Sequence, residues 1–236
     1  PIGLYHRTRK RPGMQYCPVC LKESPVPYYR RHWRLALYAL CERHECVLAD
    51  RCPACLSPIA YHRHGIGRDN VVPEVNSLFF CHQCGFDLRD TVPLHLEWFD
   101  QPSWRRLCTI HQQWRMGTWQ CGTLAPACAV PFFHGLRVML TVLMGRHGEA
   151  LRRVLQEICH IVRLEPELSL HHEFERLDAS QRATFLLMVF WLLDDWPCRF
   201  IDVCRDAGFT RSHLAEMVFG VPFWLSSVTD EYLDNR

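Results

Sequence analysis

Between Tyr16 and Asp87 the chain carries four paired-ligand turns in a row: Cys17-Pro18-Val19-Cys20, Cys41-Glu42-Arg43-His44, Cys52-Pro53-Ala54-Cys55 and Cys81-His82-Gln83-Cys84. Two residues between ligands let one tight turn aim both side chains at a single ion, so each turn is half of a tetrahedral site. Four halves make two zinc sites. In sequence order, Cys17, Cys20, Cys41 and His44 give a site of three thiolates and one imidazole, while Cys52, Cys55, Cys81 and Cys84 give an all-thiolate site, with 20 and 25 residues between half-sites. Interleaved pairing satisfies the same spacing and stays open. Buried free cysteines would have to reproduce this spacing four times by chance.

The surroundings of the turns bear on ligand choice. Pro18 and Pro53 follow the first cysteine of two turns, and Leu21 and Leu56 follow the second, so Cys-Pro-x-Cys-Leu occurs twice and suggests two related turns. Cys46 lies two residues beyond His44 and competes with it as a ligand, although the Cys-x-x-His spacing favours His44. His62, His64 and His82 are near enough to be alternatives and are read as surface or supporting residues. With four protein ligands each, both sites are closed to substrate, so the metal supplies folding energy rather than chemistry. A short Gly/Pro/Arg-rich segment buries too little apolar surface to fold alone.

At 236 residues with 48% apolar content, the chain has room for two small domains. Its 14 cysteines, in this metal pattern, point to a reducing compartment rather than a disulfide framework. No secretory signal is visible, and the chain begins at Pro1, which reads as a piece of a longer product. The longest apolar run, Ala183 to Leu193, falls well short of the ~20 residues of a bilayer span, so a soluble, cytoplasmic protein is expected.

The formal charge of +2 hides an asymmetry, because residues 1 to 68 hold 12 Lys/Arg against 4 Asp/Glu. The basic residues are densest in two runs. One contains Arg9, Lys10 and Arg11; the other contains Tyr29, Arg30, Arg31, Trp33 and Arg34. Aromatics interleaved with arginines suit phosphate contact plus stacking, on nucleic acid or on a partner. The plainer reading is a solvated basic face whose Tyr and Trp cover the small core of the metal module.

The fold class expected is mostly α with small zinc-ribbon β elements: a tandem zinc-finger module over 1–95, then an all-helical domain over 96–236. Trp33, Leu37 and Leu40 recur at helical spacing, and Leu78 to Phe80 reads as a ribbon strand. A helix start is placed at Pro102-Ser103-Trp104. Cys108 and His111 have ligand spacing with Cys121 and Cys128 downstream, but a helix surface and a six-residue gap tell against a third metal. From Pro131 the pattern is helical, with one stripe at Leu136, Met139, Leu140 and Leu143 and another at Leu151, Val154, Leu155, Ile158 and Val162. Asp178-Ala179-Ser180-Gln181 has the form of a capping box opening a strongly apolar helix through Leu193.

Near the end, Cys204, Gly208 and Leu214 match the spacing of a helix-turn-helix unit over about 197–219, with Thr210 as the cap of its second helix. Arg211, Ser212 and His213 would then face outward where base edges are reached. Glu216 and the neighbouring Asp194, Asp195, Asp202 and Asp206 would repel phosphate. No Gly-rich phosphate loop with Lys-Ser/Thr, no Gly-x-Ser-x-Gly and no His-Glu-x-x-His occurs. An enzyme is not expected.

Taken together, Tyr16-Cys17-Pro18-Val19-Cys20-Leu21, Tyr29, His32-Trp33, Cys41-Glu42-Arg43-His44, Leu48 and Cys52-Pro53-Ala54-Cys55 resemble the TniQ family of Tn7-like transposition proteins, which includes TnsD, over about residues 12 to 90. The tail from Trp196 to Leu225 also resembles some members. Members usually carry a further segment before the first knuckle. The resemblance implies a target-selection adaptor that cuts nothing. Such a protein recognises DNA directly or an RNA-guided effector complex on DNA, and recruits the AAA+ transposition regulator, with a homodimer as an open option. Two other classes remain: a stand-alone DNA-binding regulator, and a zinc-stabilised interaction scaffold of a mobile-element or defence complex.

Overall fold

A computed structural model describes residues 14–60, 78–160, 173–217 and 220–233. Arg9, Lys10, Arg11, His62, His64 and Val162 lie outside them. The chain packs into two units, one within Pro1–Glu97 plus Glu175–Ala183, the other within Trp98–Phe174 and Thr184–Arg236. Among the described residues, no helix is long and apolar enough to cross a membrane.

The described residues of the first unit have little regular structure. Those before Trp98 form one short helix, α1 (Pro18–Glu23), and 3-10 turns at Arg31–Arg34 and Leu88–Asp90. Isolated antiparallel bridges stitch the rest: Met14 to Ile59, Tyr16 to Ala49, Leu40 to Val47 and Val47 to Leu94. Tyr16, Trp33, Tyr38, Leu40, Leu48 and Leu88 form its buried interior. Two expectations are corrected here. The helical spacing of Trp33, Leu37 and Leu40 yields only the single turn Arg31–Arg34, because Leu35 is extended (φ −87°, ψ 123°) and its carbonyl accepts from Gln15 Nε2 at 2.9 Å instead of from a helical N–H. The ribbon strand at Leu78 to Phe80 reduces to one bridge, Phe80 to Asp87.

A buried polar network ties residues 175–183 into this unit. Gln15 donates to the carbonyls of Leu35 (2.9 Å) and Tyr38 (2.8 Å) and accepts from Arg182 Nη2 at 2.8 Å. Arg182 also donates to the Leu177 carbonyl at 2.7 Å and lies 3.7 Å from Asp50 Oδ2, which accepts from the Ala179 amide at 3.0 Å. Gln15 and Arg182 are fully buried and Asp50 nearly so. Burial pushes the Asp50 carboxyl above the ordinary carboxylate range, with Arg182 pulling it back only in part, and burial likewise lowers the Arg182 guanidinium against the pull of Asp50. Both shifts favour the neutral form, so desolvation outweighs attraction in this pair.

The second unit is built from α2 (Gln101–Met116), α3 (Ala129–Met144), α4 (Glu149–Ile158), α5 (Ala179–Asp194), α6 (Cys198–Asp206), α7 (Arg211–Met217) and α8 (Phe223–Tyr232). The first residues of α5 belong to the other unit. Asp100 caps α2, accepting from the Ser103 amide at 2.9 Å. The capping box forms as read: Gln181 N donates to Asp178 Oδ1 at 2.8 Å, and Asp178 N donates to Gln181 Oε1 at 3.3 Å. From Phe185 to Phe190 every residue of α5 is buried, as a helix apolar on all sides requires. The α3 stripe at Leu136, Met139, Leu140 and Leu143 is buried, as are Leu151 and Leu155 of α4.

This unit is not all-helical. A hairpin, β1 (Thr118–Cys121) with β2 (Leu124–Cys128), pairs Thr118 with Cys128 and Cys121 with Leu124. Gly122 in its tight turn has φ +55°, and an added Cβ would collide with the backbone of Asp194. Only glycine lets the turn approach the end of α5 so closely, where the Thr123 amide donates to the Asp194 carbonyl at 3.2 Å. The hairpin also places Trp119, 2% exposed, against Phe132 with centroids 4.4 Å apart and planes 15° apart. That stack joins hairpin to α3.

Candidate metal centres

The first cluster brings together Cys17, Cys20, Cys41 and His44, with ligating atoms all within 4.8 Å of one another. His44 Nδ1 lies 3.3 Å from the Cys17 and Cys20 sulfurs and 3.5 Å from that of Cys41, and the Cys20 and Cys41 sulfurs are 3.6 Å apart. A tetrahedral site with metal–sulfur bonds of about 2.3 Å has donor–donor edges of about 3.8 Å, so these separations suit one ion. The other imidazole nitrogen, Nε2, is 3.1 Å from Glu23 Oε2, and Arg43 holds the same oxygen at 2.9 Å. With Nε2–H donating to a carboxylate, Nδ1 is left with its lone pair facing the three sulfurs, as a metal ligand requires. Glu23 therefore positions His44, a role that the ligand spacing does not reveal.

The second cluster brings together Cys52, Cys55, Cys81 and Cys84. Cys52 and Cys84 sulfurs are 3.6 Å apart, and those of Cys55 and Cys81 are 3.7 Å apart. Ser57 Oγ sits 3.0 Å from the Cys55 sulfur and 3.5 Å from that of Cys81, where a hydroxyl can donate to a thiolate. Half-sites therefore pair in sequence order, and the interleaved option is closed. Both groups can hold a metal ion. Among the described residues no further group of three such donors gathers. Cys108 and Cys121 are buried, and burial raises the Cys121 thiol to about 12.

Three of the four turns share one backbone pattern. The first cysteine's amide donates to the carbonyl five residues on (Cys41 to Cys46, Cys52 to Ser57, Cys81 to Phe86), and its carbonyl accepts from the residue four on. That fourth residue takes positive φ: Glu45 at 49°, Leu56 at 56° and Gly85 at 75°. The Cys17 turn differs. It continues into α1, with the Cys17 sulfur accepting from the Cys20 amide at the helix start. The repeated Cys-Pro-x-Cys-Leu thus does not repeat a structure: Leu21 is buried in a helix, whereas Leu56 is 68% exposed in left-handed backbone.

Left-handed backbone costs a non-glycine residue about 1 kcal/mol or more. Because metal binding and local folding are coupled, Gly85→Ala should weaken metal retention against a chelator about fivefold, and Leu56→Gly should shift it the other way. Equal retention in both variants would show that the turn is not set by this preference.

The residues read as nucleic-acid or partner contacts are placed as follows. Trp33 is 1% exposed and belongs to the interior, so its ring is withdrawn from any stacking surface. Tyr29 packs edge-on against it at 6.1 Å, and the Arg30 guanidinium lies over the same indole at 5.8 Å. Arg31 and Arg34 are exposed. In the second unit, α6 and α7 flank Gly208 at φ +61°, giving the expected helix-glycine-helix order. Arg211 Nε, however, contacts Asp230 at 2.8 Å. His213 turns back to its own helix start, its Nδ1 accepting from the Thr210 amide at 3.1 Å, and stacks on His147 at 5.1 Å. Ser212 Oγ lies 3.0 Å from Thr210 Oγ1. Sequence reading misses the cap and packing roles at 211–213 because a Thr-x-x-His start has no acidic box residue to mark it.

Residues 2–48 match the TniQ family model, which supports membership of the TniQ family and suggests a role associated with Tn7-like transposition. The matched segment contains all four donors of the first cluster and ends before the second. No curated protein and no solved structure matches the chain significantly.

Proposed function

Because the front of the chain matches the TniQ family through its first metal cluster, we propose that it is a non-enzymatic target-selection adaptor of Tn7-like transposition. It recognises an insertion site, as DNA or as an RNA-guided effector complex already on DNA, and recruits the AAA+ regulator of the transposase. The family match is the observation that carries this reading. Both clusters hold Zn2+, to which thiolate-rich sets of four donors are suited. The ions are structural, since four protein ligands leave no coordination position for a substrate.

Arg30, Arg31 and Arg34 supply the contact to phosphate or to an acidic partner surface. They sit on the link between Cys20 and Cys41, so the first ion fixes both ends of the segment that presents them. Arg9, Lys10 and Arg11 extend the same basic stretch in sequence. A stand-alone regulator reading DNA through α7 draws less support, because Arg211 and His213 are engaged within the chain.

Arg30→Glu, Arg31→Glu and Arg34→Glu combined should reduce capture on target DNA, or on DNA carrying the effector complex, by an order of magnitude or more at near-physiological salt. Metal content should stay at two ions per chain. Unchanged recruitment would sink this assignment of the contact surface.

A further inference from the structure

A fifth sulfur lies beside the first cluster. Cys46 is fully buried, and its sulfur lies 3.6 Å from that of Cys17. Its backbone position is informative. In the shared turn pattern Cys46 occupies the fifth place after the first cysteine, the place Ser57 fills in the second cluster, from which the Ser57 hydroxyl reaches two ligand sulfurs. Side chains at this place can thus face the metal. Serine there can only support the ligands, whereas cysteine is itself a ligand.

His44 is the outermost donor, its side chain 13% exposed and held from outside by Glu23. Cys17, Cys20 and Cys41 are common to either completion of the tetrahedron; the His44 nitrogen is the donor gathered with them, and the Cys46 sulfur, 3.6 Å from that of Cys17, is the one that can replace it. Softness of the cation decides between them, since borderline Zn2+ accepts imidazole and thiolate alike while a softer ion favours sulfur. We propose that the first cluster is a five-donor site that binds Zn2+ through Cys17, Cys20, Cys41 and His44, and a softer thiophilic cation such as Cd2+ through Cys17, Cys20, Cys41 and Cys46. The inference rests on the metal-binding reading of that cluster.

The test is chelator competition on the full chain loaded with Zn2+ or Cd2+, with 113Cd resonances assigning each ion to its cluster. Cys46→Ser keeps a donor hydroxyl of the Ser57 type and removes only the candidate ligand. It should weaken Cd2+ at the first cluster roughly tenfold or more while leaving Zn2+ within about twofold. His44→Ala should retain two Cd2+ per chain, and His44→Ala with Cys46→Ser only one. An equal effect of Cys46→Ser on both metals, or none on Cd2+, overturns the proposal, as does loss of one Cd2+ from folded His44→Ala. Should His44→Ala fail to fold, the Cys46→Ser comparison decides alone. A wild-type chain binding fewer than two Zn2+ would instead overturn the metal assignment itself.

Discussion

Stripping both clusters with a strong chelator is expected to unfold the first unit and spare the helices of the second. Apart from residues 175–183, the described residues of the first unit form a six-residue helix, two 3-10 turns and single bridges, so little of that backbone is fixed by regular hydrogen bonding. A structural zinc contributes about 10–16 kcal/mol of apparent binding free energy, as large as the entire 5–15 kcal/mol stability of an ordinary domain. Without it, the buried cysteines 17, 20, 41, 52 and 81 lose the ion that would organise them. The measurement is amide hydrogen exchange by mass spectrometry, before and after metal removal. Peptides from 14–60 and 78–97 should lose protection together, and those from α3 and the central part of α5 should keep it. Far-UV circular dichroism should fall only modestly, since α2 to α8 carry most of the helix. Cys20→Ala is the single-site form of the same experiment and should release one ion and expose 14–48 first. Protection retained in 14–60 after complete stripping would mean that the apolar interior around Tyr16, Trp33 and Leu48 suffices without metal.

What sequence reading captures and what it misses divide along one physical line. Ligand spacing, the capping box at Asp178 to Gln181 and the stripe Leu136 to Leu143 are legible, because each is a local pattern whose cause lies within a turn or two of chain. The family resemblance is legible for the same reason, being carried by ligands and their immediate neighbours. Features set by distant partners are not. Trp33 sits among arginines and reads equally as a surface stacker, yet packing draws it inside. The Cys17 and Cys52 turns are alike in sequence and part after the fourth residue, one entering a helix and the other turning left-handed. The hairpin Thr118 to Cys128 escapes a reading that weighs its cysteines as ligands, although a glycine-led two-residue turn between short alternating runs is there to be read. Arg182 looks like an ordinary polar residue one turn into an apolar helix. Its partners, Gln15 and Asp50, lie 167 and 132 positions away in the chain.

That last pair yields the largest effect expected from a residue outside the clusters. Asp50→Ala leaves the Arg182 guanidinium at 0% exposure without its counter-charge, and Arg182→Ala leaves Asp50 ionisable at 6% with only the Ala179 amide and more distant charges to hold it. Breaking a buried pair from one side costs about 3–5 kcal/mol, because the surviving charge remains desolvated. Each single variant should therefore raise exchange in 175–183 by about two to nearly four orders of magnitude, up to the global limit, with metal still bound. Arg182→Ala should be the worse of the two. It also removes the donors to Leu177 and Gln15, and Gln15 in turn anchors the Leu35 and Tyr38 carbonyls that shape the link to Cys41. Replacing both partners by apolar residues of similar volume, Asp50→Leu with Arg182→Met, should cost less than the two single changes added together, because neither charge is left behind. If the double variant instead matches the sum, the two side chains are not energetically coupled and each acts through its other contacts. Single variants as stable as the parent would mean that water reaches the network in solution, and that residues 175–183 are held to the first unit by packing alone.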